Sequence, residues 1–374
     1  MALVGQKPVD GRHDDWISFP YEREGMEMNL NWALNRANVV PRADAFHNPR
    51  QQLLAERLNA KTDASSVQLQ GVQAGGDFPL LEAGSKELPF EKYDTLEGVV
   101  QKFFSEPGRD LYVATGSVGS YRGATVGVRV ITDNPALCLI AQNLLVPAPY
   151  IKYETIDSPL PPVVFYVTDK LQTIGAVQYQ EGDGGSLSGA TGILCGAAGA
   201  CQAALMSAIE ETAAALLLEH EGVVPLPASV LRKGAKTALL FNASTAQLGE
   251  AKSAGALYCA HGSVLCPDKG VSAMWGGAVV PPASAGPAQS RLSVVVEGLA
   301  TVTMPTDNLA NAPTKAFFLG SKASGELSQD QIKEELEALS VEADAAARFL
   351  EAVAASKMFV TAVPSVKAAL DKLA

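Results

Sequence analysis

Residues 239–250 read LLFNASTAQLGE. An apolar run ends at Phe241, a loop of small residues follows, and the pattern then predicts the start of a helix. A phosphate-binding loop has this setting, in which glycines let backbone amides wrap the phosphates and a lysine reaches the outer oxygens. The lysine and the run of glycines are absent here. Taken alone, the stretch predicts a strand–turn–helix unit of an α/β protein rather than a phosphate site.

The composition is that of a globular protein somewhat poor in charge. The chain has 374 residues, enough for two domains, and 47% of them are hydrophobic and 18% charged. The net charge of -11, with no basic run longer than Arg232 and Lys233, argues against a nucleic-acid partner. The low charged fraction leaves room for part of the surface to be covered by other protein subunits.

Neither a targeting signal nor a membrane span is predicted. The first residues lack an apolar leader and include Asp10, Asp14 and Asp15, whereas transit peptides avoid acids. Residues 186–209 are uncharged and long enough to span a bilayer, but they are rich in Gly, Ala, Ser and Gln. Glu210 and Glu211 follow directly. We therefore expect a buried helix rather than membrane insertion, with the glutamate pair on a solvated face.

The cysteines give no support for a cofactor or a disulfide framework. Five cysteines are an odd number, which is typical of a protein in a reducing compartment. Cys259, His261 and Cys266 form the one cluster of metal-ligating residue types, and no fourth ligand is evident for tetrahedral zinc. Cysteine is often a small buried apolar residue. We expect no metal and no other cofactor.

The chain begins with a segment that predicts an extended N-terminal arm, residues 1–45. Proline and glycine interrupt it, and it carries Trp16, Phe19, Tyr21 and Trp32. Disordered tails are usually poor in aromatic residues, whereas aromatic side chains on irregular segments often anchor to another surface. That surface is either the chain's own body or a partner protein, and the sequence leaves both open.

Strand and helix patterns alternate along the rest of the chain without one fixed period. Helices are predicted at 47–58, 93–104, 135–145 and 203–220. Strands are predicted at 110–115, 126–132, 237–241, 292–296 and 316–319, with 163–167 and 171–177 paired as a hairpin. Asn134 before Pro135 predicts a helix start, and Ser328 with Gln331 predicts a capping box of a long C-terminal helix. The fold class is α/β, or mixed α+β, in two lobes.

Six segments carry a further pattern that extends over about residues 47 to 330. They are EKYD at 91–94 with DLYV at 110–113, VRVITDNPALCLIAQNLLV at 128–146, IGAVQYQEGDGGSLSGATGIL at 174–194, TALLFNASTAQLGEAKS at 237–253, GVSAMWGG at 270–277 and PTKAFFLGSKASGEL at 313–327. In content, order and spacing, these segments resemble the ATP-dependent phosphoenolpyruvate carboxykinase family. The predicted arm has no counterpart in that family.

The resemblance implies a carboxykinase-like fold of two lobes. It implies an N-terminal mixed-sheet domain at residues 46–225 and a remnant of the nucleotide-binding, P-loop-type lobe at 226–327. Residues 328–374 then form C-terminal helices that replace the rest of that lobe.

The family's phosphate loop is degenerate in this chain. The family transfers a phosphoryl group between ATP and an enolate with divalent metals, which requires positioning and charge neutralisation. By position, the loop lysine corresponds to Leu248 and the threonine after it to Gly249. The glycine positions hold Asn242, Thr245 and Gln247. None of these residues supplies the positive charge that the resemblance requires.

The metal ligands of the family are also missing. Its paired aspartates correspond to residues 257–265, which read LYCAHGSVL and contain no carboxylate. Its metal-binding lysine corresponds to Gly184 and Gly185, and its metal-binding histidine to about Leu226.

Two further charged residues are absent. The family's substrate-binding arginine belongs between residues 70 and 80, but no arginine occurs between Arg57 and Arg109. The late catalytic aspartate corresponds to Lys322. One lost charge contact is worth about 4 kcal/mol at an effective dielectric near 20, or roughly a thousandfold in rate. The resemblance therefore implies a pseudoenzyme, a member of the fold without its reaction.

Three hypotheses of function follow. The first is a structural subunit of a large assembly, anchored by its arm, in the cytoplasm. By analogy we favour a cilium or flagellum, with a microtubule and its tubulin lattice as partner, and a mitochondrial complex is the alternative. The second is a regulatory pseudoenzyme that binds a metabolite. The third is an enzyme with a relocated site at Cys259, His261 or Glu181, for which no pattern of base, nucleophile and orienting group is apparent.

Overall fold

β-Sheets covered by helices form the described part of the computed structural model, which comprises residues 34, 38–63, 65–147, 163–267, 269–286, 291–305 and 309–373. The fold is mixed α/β, the predicted class. The aromatic residues of the predicted arm lie outside the described residues; they are Trp16, Phe19, Tyr21 and Trp32.

The elements are numbered in chain order. The strands are β1 (Ala45–His47), β2 (Lys61–Thr62), β3 (Ser66–Gln68), β4 (Leu81–Glu82), β5 (Leu111–Tyr121), β6 (Ala124–Thr132), β7 (Val163–Thr168), β8 (Ile174–Glu181), β9 (Leu187–Cys195), β10 (Val224–Leu226), β11 (Ala228–Lys233), β12 (Lys236–Phe241), β13 (Leu257–Cys259), β14 (Ser263–Cys266), β15 (Gly270–Ala273), β16 (Gly277–Val280), β17 (Ser293–Val296), β18 (Leu299–Thr303), β19 (Lys315–Leu319), β20 (Gly325–Glu326) and β21 (Phe359–Val363). The helices are α1 (Gln51–Arg57), α2 (Phe90–Phe104), α3 (Pro135–Leu144), α4 (Gly196–Gly199), α5 (Gln202–Leu218), α6 (Thr245–Ser253), α7 (Gln329–Ala338), α8 (Ala343–Ser356) and α9 (Val366–Leu373).

The first half of the chain builds a seven-stranded sheet in the order β1-β5-β6-β7-β9-β8-β4. The predicted hairpin of 163–167 with 171–177 is wrong, because β9 lies between β7 and β8. Strand β7 runs parallel to both of its neighbours, β6 and β9. All six residues of β7 are buried, as expected for a central strand whose two edges are filled.

Residues 186–209 do not form the single buried helix that we predicted. They contain β9 and α4 before α5 begins at Gln202. Gly192 of β9 lies under the ring of Phe165, and a Cβ atom at Gly192 would be 2.1 Å from that ring. A glycine such as this one lets a strand pack closely against its neighbours. Inside a helix, each glycine would lower the stability by about 1 kcal/mol relative to alanine.

Both faces of the seven-stranded sheet are covered. Alternate strand residues such as Val130 and Phe165 pack on one face with α3 and α5. Their neighbours Ile131 and Tyr166 pack on the other face with α2. Leu34, Val39 and Ala45 belong to the second cluster, so the end of the segment that we predicted as an arm is part of the folded body.

The second half builds a six-stranded sheet in the order β13-β11-β12-β19-β21-β20. Strands β12, β19 and β21 are parallel and central. Strand β21 comes from residues 328–374, for which we predicted helices only, so that segment completes the sheet. The rings of Phe241 and Phe318 stack with centroids 4.4 Å apart, and Phe349 of α8 contacts Phe241 edge-on at 5.6 Å.

A five-stranded sheet links distant parts of the chain in the order β16-β18-β17-β3-β2. Strand β3 pairs in parallel with β17, so residues 66–68 join residues 293–295. The predicted boundary at residues 225 and 226 therefore does not separate the sheets cleanly. A three-stranded sheet, β10-β14-β15, completes the described architecture.

Three predicted helix starts are confirmed. Asn134 caps α3 by accepting the backbone N–H of Ala136 at 2.9 Å. Ser328 forms a capping box at the start of α7, although that helix ends at Ala338 rather than continuing as one long helix. Ser244 forms the same kind of box at the start of α6.

We expect Phe241→Ala to destabilise the second half of the fold by about 3 to 5 kcal/mol, because it leaves a cavity between Phe318 and Phe349. Urea denaturation measures the free energy of unfolding. Phe90→Ala is the matched control, because Phe90 is 56% exposed and its truncation should cost far less. Equal losses in the two variants would contradict the packing described here.

Candidate functional site

The loop after β12 has the strand–turn–helix geometry that the sequence predicts, and its own side chains close the helix start. The Ser244 backbone N–H donates to Gln247 Oε1 at 2.8 Å, and Ser244 Oγ accepts the Gln247 backbone N–H at 3.4 Å. Asn242 has a left-handed backbone, with φ at 57°, and its Nδ2 donates to the carbonyl of Leu319 at 3.0 Å. Part of the hydrogen-bonding capacity that a phosphate would use is thus already taken up.

The two residues at the family's lysine and threonine positions are packing residues. Leu248 is 1% exposed and lies in an apolar cluster with Ala278 of β16 and Val302 of β18. A Cβ atom at Gly249 would lie 2.8 Å from Pro281 Cδ and from Ser284 Oγ. Glycine therefore permits close approach of α6 to the 3₁₀ turn Pro282–Ser284.

The other positions that the resemblance aligns with charged residues lie in different parts of the fold. Gly184 and Gly185 lie in the connection between β8 and β9, both with φ at 82° and with open space where a side chain would stand. Lys322 is exposed beyond β19. Leu226, at the family's histidine position, is buried in β10 and lines a large cleft.

That cleft has a volume of about 1090 Å³ and lies between the two halves of the fold. Helix α5 and strand β8 contribute one wall, and the loop after β12 contributes Asn242, Ala243 and Thr245. Residues 339–342 and the start of α8 border it on another side. Leu226 and the loop residues Asn242 and Thr245 are therefore brought together, whereas Leu248, Gly249, Gly184, Gly185 and Lys322 do not line the cleft.

The charges that line the cleft are acidic. Glu82, Glu210, Glu211 and Glu342 line it, and among the described residues no lysine or arginine does. A phosphate group would be repelled by these carboxylates without a compensating cation. Within the part of the chain that the structure describes, none of these four glutamates forms an ion pair.

Glu210 is half-buried and lines the cleft, and so does not lie on the fully solvated face that we predicted. Desolvation raises the pKa of its carboxyl to about 8; the indole N–H of Trp275 opposes that rise, and the charge of Glu211 adds to it. Trp275 Nε1 is buried, and Glu210 is the acceptor towards which it can donate. Glu211, by contrast, is exposed and accepts the hydroxyl of Ser207 at 2.6 Å.

His261 is a neutral group on the opposite wall. Burial lowers the pKa of its imidazole to about 4. Its Nε2 accepts the backbone N–H of Val279 at 2.9 Å, which places the ring proton on Nδ1 in the neutral form. With φ at 59°, His261 adopts a left-handed backbone that turns the chain between β13 and β14.

Two polar residues of the cleft have no local sequence signal. Burial raises the pKa of the Tyr179 hydroxyl to about 12, and the charges of Glu82, Glu342 and Glu211 add to that rise. Tyr179 thus lies among three of the four carboxylates. Gln202 is 2% exposed; its Nε2 donates to Thr301 Oγ1 at 2.8 Å, and its Oε1 has no hydrogen-bond partner.

The cluster of Cys259, His261 and Cys266 is not assembled as a ligand set. The described residues contain no group of three or more His, Cys, Asp and Glu side chains that could hold a metal ion. Burial raises the pKa of the Cys259 thiol to about 12, and it also raises that of Cys266. Of the residues considered for a relocated active site, His261 lines the cleft, whereas Cys259 and Glu181 do not.

Comparison with known proteins adds no relative. No protein-family model matches the chain, and no curated protein is significantly similar to it. Within the described residues, no helix is both long and apolar enough to cross a bilayer.

We expect Glu210→Gln to remove a pH dependence of stability between pH 6.5 and 8. The folded pKa of Glu210, about 8, is above its ordinary value of 4.5, so its contribution is full below pH 4.5 and is lost as the pH rises through 8. The slope is at most about 1.4 kcal/mol per pH unit. His261, whose pKa falls from 6.5 to about 4 on folding, is neutral in the folded state and half protonated in the unfolded state at pH 6.5. Because both proteins contain His261, its contribution cancels in their difference.

The measurement is urea denaturation of the protein and of Glu210→Gln at several pH values in that window. The variant should gain stability relative to the protein as the pH rises. Glu211→Gln, which removes a carboxylate from the same helix, is the control. A constant difference in free energy between Glu210→Gln and the protein would show that Glu210 is not protonated in the cleft.

Proposed function

We propose that this chain is a non-catalytic, structural subunit of a protein assembly, derived from a carboxykinase-like enzyme. The observation that carries the proposal is the acidic cleft. The loop after β12 borders it, yet among the described residues the ionisable ones that line it are four glutamates, one histidine and one tyrosine. Nucleotide phosphates and an anionic substrate require cations at such a place, from the protein or from bound metals.

The ancestry rests on the resemblance of the six segments and on two features that agree with it. The loop between β12 and α6 is a strand–turn–helix unit beside a parallel strand, β19. The cleft lies between an N-terminal sheet and a second lobe, where a two-lobe carboxykinase-like fold would bind its substrates. A truncated nucleotide-binding lobe, completed by β21, is the corresponding proposal for residues 226–374.

The proposed partners are other protein subunits, and the proposed anchor is the aromatic N-terminal segment. Among the described residues, large hydrophobic side chains are exposed at few positions, which are Val40, Phe90, Val99 and Phe359. The body therefore offers little apolar area for a permanent interface. Trp16, Phe19, Tyr21 and Trp32 supply the residue types that dominate interface energetics.

The compartment is proposed by analogy. A cytoplasmic assembly, with a ciliary or flagellar microtubule as the favoured lattice, suits a subunit with an extended anchor, and a mitochondrial complex is the alternative. A second function, regulation by a bound metabolite, is favoured by the size of the cleft, because ligand sites commonly occupy about 300 to 1,000 Å³. The cleft, at about 1090 Å³, is at the upper end of that range.

We expect ATP with Mn²⁺ to leave the thermal unfolding of the protein unchanged. A ligand at a hundred times its Kd would add about 2.7 kcal/mol to the free energy of unfolding, which thermal unfolding would detect. Mn²⁺ alone is the control, because it separates attraction of a cation to the glutamates from binding of a nucleotide. A concentration-dependent rise with ATP and Mn²⁺, beyond that with Mn²⁺ alone, would contradict the loss of the phosphate site.

We expect removal of the four arm aromatics to release the protein from its assembly. The variant changes Trp16, Phe19, Tyr21 and Trp32 to alanine in the full chain. The tagged variant should no longer co-fractionate with the subunits that accompany the tagged native protein. Its thermal unfolding should be unchanged if these side chains contact a partner rather than the body.

Phe359→Ala is the matched control, because this aromatic residue of the body is 59% exposed. Retention of the four-alanine variant in the assembly would refute the arm as anchor. Loss of folding stability in that variant would instead support packing of the arm on its own body.

A further inference from the structure

We propose that the acidic cleft binds an aliphatic di- or polyamine, a small molecule with positive charges separated by methylene chains. The proposal concerns a ligand and not the anchoring of a subunit, and it does not depend on the carboxykinase ancestry. It rests on three observations: unpaired carboxylates, a buried acceptor without a donor, and the spacing of the acidic groups.

The first observation is the sign and the isolation of the charges. Glu82 at the end of β4, Glu210 and Glu211 of α5, and Glu342 before α8 converge on the cleft from three parts of the chain. No lysine or arginine of the described residues lines it. Like charges held together without a counter-charge repel one another, and an ammonium group in the cleft would relieve that repulsion.

The second observation is the Gln202 side chain, which lines the cleft and is 2% exposed. Its Nε2 is held by Thr301 Oγ1 at 2.8 Å, so the atom left without a partner is the acceptor Oε1. A buried acceptor without a hydrogen bond is unfavourable, and an N–H donor corrects it. Gln202 Oε1 is a hydrogen-bond acceptor, as are the carboxylates of the cleft. An ammonium group only donates hydrogen bonds, so it complements both kinds of group.

The third observation is that the carboxylates do not converge on one point. The described residues contain no cluster that could hold a metal ion, although four glutamates line this cleft. A single divalent cation needs several oxygen ligands within about 2.6 Å. Carboxylates that are spread along a cleft instead match a ligand whose positive charges are also separated.

The walls fit the methylene part of such a ligand. Met206 and Leu218 of α5 and Leu339 and Val341 line the cleft between the acidic groups. Tyr179 also lines the cleft, and an aromatic face attracts an ammonium group. Apolar walls with a small number of directed polar groups are typical of small-molecule sites.

The test is isothermal titration of the full chain with spermidine at about 150 mM salt, where non-specific attraction between exposed charges is screened. We expect saturable binding with one molecule per chain. 1,8-Octanediol, which has a methylene chain but no charge, should neither bind nor compete. Mn²⁺ should compete weakly, because the carboxylates do not form a metal site.

The variants Glu82→Gln and Glu342→Gln should each weaken spermidine binding about tenfold, the loss of one charge-assisted contact. Both residues are exposed, so neither change should impair folding. Glu351→Gln is the matched control: it removes the same charge from α8, at a residue that is exposed and does not line this cleft. Gln202→Met removes the unpaired acceptor, and the affinity should fall while the fold remains.

Absence of saturable spermidine binding would overturn the proposal. So would equal binding of 1,8-octanediol, or equal losses in Glu82→Gln and Glu351→Gln, which would indicate attraction to the net charge of the protein. Binding to a peptide with spaced lysines, but not to free spermidine, would overturn the small-molecule ligand in favour of a partner protein. None of these outcomes bears on the aromatic arm, so the structural proposal is tested separately.

Discussion

The burial of Leu248 fixes the position of helix α6, and the character of the cleft depends on that position. Leu248 packs against Ala278 of β16 and Val302 of β18, so α6 is held by an apolar contact with the five-stranded sheet. The absence of a side chain at Gly249 lets the same helix approach Pro281. A lysine at residue 248 would require a charge in that apolar cluster, which is strongly unfavourable. The packing of α6 therefore favours an apolar side chain at residue 248.

The cleft is divided by depth into neutral and charged layers. At the bottom, desolvation holds Glu210 protonated up to a pKa of about 8 and keeps His261 neutral down to a pKa of about 4. Nearer the surface, Glu82, Glu211 and Glu342 are exposed and solvated. This division follows from one cause, because a charge is costly where water is excluded and tolerated where water remains.

Local patterns in the sequence predicted the elements whose signals are local. The caps at Asn134, Ser244 and Ser328 were predictable, because a capping side chain bonds to a backbone group two or three residues away. The pairing of β7 with β9 was not, because residues 163–177 alone fit a hairpin and the inserted strand lies further along the chain. Strand β21 was not predicted either. Its five residues lie between helices in the sequence, and they form a strand by pairing with β19, which is distant in the sequence.

The candidate site was harder to predict for the same reason. Glu82 and Glu342 are 260 positions apart in the sequence, and only the folded chain brings both to Tyr179. Glu210 had a local signal, the uncharged run that precedes it, which indicated burial, but we assigned the pair that it begins to a solvated face. The unpaired acceptor of Gln202 depends on a bond to Thr301, 99 residues away. The sequence shows which residue types are missing from the loop after β12, but it does not show which side chains line the cleft beside that loop.

The sign of the charges that line the cleft bears on whether the cleft binds a ligand. If the cleft were lined only by residues such as Leu226 and those of the loop at Asn242, it would be neutral, with small and apolar side chains. The observed cleft instead holds the carboxylates of Glu82, Glu211 and Glu342 and the protonated Glu210, without a lysine or arginine of the described residues to pair with them. Such an arrangement opposes folding through like-charge repulsion and through the desolvation of Glu210. A cationic ligand in the cleft would offset that cost, which is the physical reason for the ligand class proposed above.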